Sequence, residues 1–220
     1  LSLTDEKVTN KSTIPAKKLV CNSKNETTKV KLKNVNSGYL YGIDDDNQIF
    51  EINPKNKTTS KIFDTELPNP KKSNGVAYHK RSGSLLFFYE QTLYSWNTTT
   101  RELSQHKFKE GKTASAAIYG DSLWWIKSNS NQLYQLDISD LNNGTIISGS
   151  PTKYLLDKYT KAGFGDIAIS SDGILYGSAT GGKIKRGGFF SFDLQSIIDS
   201  RKAKINIDNH GYKQCGKTEW

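Results

Sequence analysis

The side chains able to do acid, base or metal chemistry are few in this chain, and their placement decides how far a catalytic reading can go. Three histidines, His79, His106 and His210, are spread over 220 residues. The local patterns put them in a turn, an outer strand and the C-terminal tail, so no pair is set to share a metal or relay a proton. Each reads as a surface residue. Asp44-Asp45-Asp46-Asn47 could offer oxygen ligands to calcium, but it lacks the sixth-position Gly and twelfth-position Glu of an EF-hand loop. It reads better as an acidic hairpin tip. Asp166 opens a candidate inner strand, and a lone carboxylate without an acid, base or metal partner is thin ground for catalysis. No catalytic residue, metal ligand or cofactor is assigned.

Charge says more. The formal net charge is +9 with a pI near 9.3, which favours acidic glycans, acidic proteins or phosphate groups as contacts. The segment Thr180-Gly181-Gly182-Lys183-Ile184-Lys185-Arg186-Gly187-Gly188 brackets three cations with glycines. Such a backbone bends sharply and could present the cations to an anion. It lacks the strand-to-helix setting of a phosphate-binding P-loop, and a long hairpin is the simpler reading.

Two features point outside the cell. Cys21 and Cys215 are the only cysteines and lie near opposite ends, as a terminal disulfide would; two unrelated reduced thiols are the alternative. Five Asn-x-Ser/Thr sequons occur, at Asn10, Asn25, Asn56, Asn97 and Asn143, a mild excess over what composition alone would give. No apolar run approaches the length of a membrane span. The sequence opens on Leu1 and contains no Met, which reads as a processed or trimmed chain whose secretion signal has gone. A secreted protein is the expectation. Nucleic acid is not expected as a partner, because no single-strand-binding motif accompanies the aromatics.

These residues must be held by strands. Ile49-Phe50-Glu51-Ile52-Asn53, Leu93-Tyr94-Ser95-Trp96-Asn97, Leu133-Tyr134-Gln135-Leu136-Asp137 and Phe189-Phe190-Ser191-Phe192-Asp193 repeat one register, a strand running into an Asx turn. Each follows a partner: Leu40-Tyr41-Gly42, Leu86-Phe87-Phe88, Leu123-Trp124-Trp125 and Leu175-Tyr176-Gly177. Successive spacings of 44, 40 and 56 residues fit four-stranded blades with one insertion. Residues 1–26 form a polar arm in which Ile14 to Cys21 could add a closing strand, and residues 27–220 carry the blades and a tail.

Blade one is expected at Lys29 to Asn34, Tyr39 to Ile43, Gln48 to Asn53 and Ser60 to Asp64; blade two at Gly75 to His79, Ser84 to Tyr89, Thr92 to Asn97 and Glu102 to Phe108. Blade three takes Ser115 to Tyr119, Ser122 to Lys127, Gln132 to Asp137 and Thr152 to Leu156; blade four takes Asp166 to Ser170, Ile174 to Ser178, Gly188 to Asp193 and Lys204 to Asp208. Trp96 reads as core. Trp124 and Trp125, adjacent on one strand, face opposite sides, and an exposed one could serve as a sugar-stacking platform.

The run Gly165-Asp166-Ile167-Ala168-Ile169-Ser170-Ser171-Asp172-Gly173-Ile174-Leu175-Tyr176-Gly177, with the four aromatic-polar-apolar-Asx strands, resembles the β-propeller superfamily, especially blades of the NHL and YVTN type. The resemblance implies an all-β propeller of four recognisable four-stranded blades, as a small closed ring or part of a larger one. A Cys21 to Cys215 bridge would then lock ring closure. It also implies that inter-blade loops and second-to-third-strand loops share one face. That face would collect Lys71, Lys72, Lys109, Lys112, Lys158, Lys161, Lys183, Lys185 and Arg186 against Asp44, Asp45, Asp46, Glu90 and Glu110. Lys71, Lys72, Lys112, Lys183, Lys185 and Arg186 are the candidate ligand-binding residues. Asn56, Asn97 and Asn143 would lie on the opposite face. The expected function is an extracellular binding or structural interaction module, a subunit of an extracellular assembly included, that contacts a protein or acidic glycan through the basic face. A hydrolase or lyase with an axial site near Asp166 is the alternative.

Overall fold

The structure is a computed structural model that describes residues 38–210 apart from 69–70, 72, 110–111, 129, 157–162, 182–183, 201–203 and 206–207. Strands dominate because the apolar residues alternate along short runs that end in turn-forming Asx and Gly. Blade one is β1 (Leu40–Ile43), β2 (Gln48–Asn53) and β3 (Thr58–Asp64); blade two is β4 (Ser73–His79), β5 (Ser84–Tyr89), β6 (Thr92–Asn97) and β7 (Leu103–Lys109). Blade three is β8 (Thr113–Tyr119), β9 (Ser122–Lys127), β10 (Gln132–Asp137) and β11 (Thr152–Leu156); a 3-10 turn, Ser139–Asn143, precedes β11. Blade four is β12 (Gly163–Ile169), β13 (Ile174–Gly181) and β14 (Ile184–Asp193), followed by helix α1 (Leu194–Ser200). All pairings inside each meander are antiparallel. The chain is an all-β propeller of repeated sheets.

The four Asx residues that define the repeat share one job. Asn53 Oδ1 accepts from the backbone N–H of Lys55 and Asn56, and Asn97 Oδ1 accepts from Thr99 and Thr100. Asp137 and Asp193 cap Ser139 and Gln195 in the same way, at 2.8 and 2.9 Å. Each third strand therefore stops where a side chain can satisfy the first turn donors.

Apolar clusters fill the spaces between adjacent sheets. Ile49, Leu85, Phe87 and Trp96 pack blade one on blade two, and Leu86, Phe88, Leu93, Trp125, Tyr134 and Leu136 pack blade two on blade three. Trp124, Leu133, Leu156, Leu175, Phe190 and Leu194 join blades three and four. Trp96 is core as expected. Trp124 and Trp125 do face opposite sides, yet both are fully buried, one in each flanking cluster, so neither can be a sugar platform.

One expectation changes at the end of blade four. Lys204 to Asp208 is not its outer strand: β15 (Lys204–Ile205) pairs parallel with β11 of blade three, and β16 (Asp208–His210) pairs antiparallel with β14. The reason is α1, whose Leu194 and Ile197 are buried against the blade-three and blade-four core. The first strand expected for blade one, the arm 1–26, Cys21, Cys215, Asn10 and Asn25 lie outside the described residues. Among the described residues no helix is long and apolar enough to cross a membrane.

Candidate functional site

The inner strands of blades two and three begin with an irregularity that shapes their upper ends. The pairing register shifts between Asn74 and Ala77 against β5, and between Thr113 and Ser115 against β9. A bulge of this kind adds a residue to one strand and re-aims its neighbours. Gly75 sits in it at φ 64°, donating its N–H to Asn74 Oδ1 at 2.8 Å, while Asn74 Nδ2 donates to Thr113 O at 3.2 Å. The start of β4 is thereby tied to the start of β8.

Asn47 holds the loop that leads into that bulge. It is buried at φ 61°, a conformation Asn tolerates better than most residues. Its Nδ2 donates to the carbonyls of Lys71 (2.9 Å) and Leu67 (3.4 Å), and its Oδ1 accepts from Ser73 N at 2.8 Å. Thr65 Oγ1 donates to the Asn47 carbonyl, and Tyr89 Oη donates to Pro68 O. One side chain thus fixes the backbone on both sides of residue 72.

These loops enclose a cleft of about 610 Å³. Lys71, Ser73 and Asn74 enter it from one inter-blade segment, and Lys112 and Thr113 from the next. Asp45, Glu90 and Ser128 come from the second-to-third-strand turns of blades one, two and three, with Phe88 beneath. Inter-blade and second-to-third-strand loops therefore share a face, as the propeller resemblance implied. Lys71 Nζ lies 2.9 Å from Glu90 Oε1, and that hydrogen bond, followed by the charge of Glu90, raises the ammonium pKa above its usual value. Lys71 stays a cation. Ser73 Oγ and Thr113 Oγ1 are buried with no hydrogen-bond partner.

Of the candidate ligand-binding residues, Lys71 and Lys112 come together here. Lys185 and Arg186 lie on β14 of blade four; Lys72 and Lys183 are outside the described residues. Ser73, Asn74, Thr113 and Ser128 were not singled out from sequence. The only signal was their place at the first residues of an inner strand, or just after a second strand, at the same end of neighbouring blades.

The opposite face carries a polar cluster. His79 Nε2 lies 3.0 Å from Asp121 Oδ1 and its Nδ1 2.8 Å from Ser82 Oγ. Arg81 donates to the other carboxylate oxygen, and Asn142 Nδ2 to Asp121 Oδ1 at 3.2 Å. The Asn142 amide, with His79 and Arg81, holds the Asp121 carboxyl below its usual value. His79 ends β4 and is buried, and His106 on β7 is fully buried; neither is the surface residue expected. Asn97 Nδ2 donates to Ser82 O at 3.3 Å, and Asn56 and Asn143 stand exposed in third-to-fourth-strand connections. Asp166 is exposed, and among the described residues no group of three His, Cys, Asp or Glu could hold a metal.

No protein-family profile and no curated protein matches the sequence. By structure, the chain is similar to regucalcin, a calcium-binding protein from Agrobacterium tumefaciens (16% identity, TM-score 0.54, covering 72% of this chain and 54% of that one). It is also similar to an auxiliary nutrient binding protein from Bacteroides thetaiotaomicron (12% identity, TM-score 0.53, covering 82% and 40%). At these identities the likeness establishes the fold, that of a β-propeller. The chain spans about half the length of the first and two-fifths of the second.

Proposed function

We propose that this chain is an extracellular binding module whose first face takes an acidic partner, a protein or a glycan, through the cleft between blades one, two and three. The observation that supports it most directly is the convergence of Lys71 and Lys112 from separate inter-blade loops on one concave space. A cleft of that volume lies in the range of small-ligand sites; Lys71 and Lys112 are balanced there by Glu90 and Asp45, so the charge that would draw an anion in is that of the whole chain, +9. Asn56, Asn97 and Asn143 lie on the opposite face, so glycans there would leave the cleft open. The hydrolase or lyase alternative would need an acid, base or metal partner for Asp166, and among the described residues no group of three His, Cys, Asp or Glu could hold a metal.

The test is binding of the full chain to immobilised acidic polysaccharide and to an acidic protein, against neutral dextran, at rising salt. Affinity for the acidic ligand should fall at least about ten-fold between low and high ionic strength, because exposed charges are screened beyond about a Debye length. Lys71→Ala with Lys112→Ala should weaken it comparably at low salt. Binding that ignores both salt and these substitutions would defeat the proposal.

A further inference from the structure

The loop between β2 and β3 carries the sequon Asn56-Lys57-Thr58, and it is built differently from its counterpart in blade two. Asn53 pairs with Thr58 across the strands, and Asn53 Oδ1 accepts the N–H groups of Lys55 and Asn56 at 3.0 and 3.1 Å. Lys57 then turns the chain into β3 at φ 55°. Capping falls to Asn53, so Asn56 stands exposed in the loop, with the exposed Thr58 two positions on. In blade two the sequon residue is itself the cap. Asn97 Oδ1 accepts from Thr99 and Thr100, and its Nδ2 donates to Ser82 O, so that amide is already committed to the fold.

An aromatic residue lies beside Asn56. Ile52 pairs with Leu40, so Asn53 and Tyr39, one step further on each strand, reach the same end of the sheet. Tyr39 is 53% exposed, and with Gly38, Asn53, Lys55 and Asn56 it lines a shallow hollow of about 250 Å³. That is smaller than the sites that hold drug-sized ligands, and a free sugar there would meet the whole entropic cost of association. A sugar tethered at the rim meets little of it, because the linkage sets a high effective concentration. A tyrosine ring offers rigid, amphipathic area with few torsions to freeze, which suits the apolar face of a pyranose.

We propose that Asn56 carries an N-linked glycan whose first N-acetylglucosamine packs on the Tyr39 ring and fills this hollow. The inference rests on the extracellular half of the reading above and not on the cleft. Sequons take glycan on surface loops of secreted chains; the hollow beside Asn56 adds a seat for the first sugar.

The full chain, secreted from a glycosylating host, tests this by glycopeptide mass spectrometry and thermal melts. Asn56 should be occupied. Trimming with an endoglycosidase that leaves one N-acetylglucosamine should keep the wild-type Tm. Asn56→Gln should lower it by about 2–4 °C, the shift expected in a chain of this size from a contact as strong as a stacked aromatic pair. In Tyr39→Ala the Asn56→Gln step should cost nothing, and in Tyr39→Phe it should cost as much as in the wild type. Equal Tm changes with and without the Tyr39 ring, zero included, overturn the inference, as does a Tm that falls on trimming. Asn56 left bare while Asn143 is occupied overturns it too and leaves the acidic-partner reading untouched. Bare asparagine at every sequon overturns it and removes the glycan argument for an extracellular chain. A chain that binds no acidic ligand but shows the Tyr39-dependent shift keeps this inference and loses the cleft reading.

Discussion

His106 has both ring nitrogens committed inside the protein. Nε2 lies 2.9 Å from Ser95 Oγ, and Nδ1 accepts the backbone N–H of Ile147 at 3.3 Å. An acceptor at Nδ1 means a neutral ring, and burial pushes its pKa from the usual 6.5 down to about 4. The sign follows from linkage: above pH 6.5 the ring is neutral folded and unfolded, so its full contribution is present. Between 6.5 and about 4 only the unfolded chain takes the proton, and stability falls by up to about 1.4 kcal/mol for each pH unit. Urea midpoints at pH 7 and pH 4.5 should show the wild type losing up to about 2 kcal/mol more than His106→Gln, and parallel losses would sink the assignment. Sequence pointed elsewhere for this residue. Its partner Ile147 lies 41 positions away, as Asp121 lies 42 from His79, and no local pattern carries a contact of that span.

Elements differ in how much of themselves they declare. The strands, their order and the Asx ends were legible, because alternation and the capping of donors two or three residues on are local properties. Lys71 and Lys112 were legible as charge, but the hydroxyls between them were not, since Ser and Thr near strand ends are ordinary. Helix α1 carries its own signal, because Leu194, Ile197 and Ile198, spaced three and four apart after Asp193, all pack on the core. The bulge of β4 was silent, although Gly75 marks it. A Cβ there would stand 2.8 Å from Thr113 Cγ2 and 3.3 Å from both Ala116 Cβ and Phe88 Cδ2, in a left-handed backbone. Gly75→Ala should therefore cost about 2–3 kcal/mol from strain and crowding together, read as a lower urea midpoint at unchanged m. A stability change within about 0.5 kcal/mol would mean that the bulge relaxes freely.

Across the molecule the sheets are not equally covered. The inner and second strands pair at matching places in three blades, Ala77 with Leu86, Ala117 with Trp124 and Ala168 with Tyr176. In blades two and three the next blade covers the pair, and Leu86 and Trp124 have no exposed surface. On blade four Tyr176 is 50% exposed. Blade one shows the counterpart: Tyr41 and Ile43 pack toward blade two, so Leu40 points the other way, and it is 58% exposed. Free energies of local opening follow buried apolar contact, so β5 and β9, enclosed on both faces, should exchange amide protons only with global unfolding. Strands β1 and β13 should exchange through local opening, with protection at least about ten-fold lower. Hydrogen-exchange mass spectrometry on the full chain reads this gradient directly. Protection of β1 and β13 equal to that of β5 and β9 would defeat it and would mean that both outer faces are covered in solution, as they would be in a ring that further sheets complete.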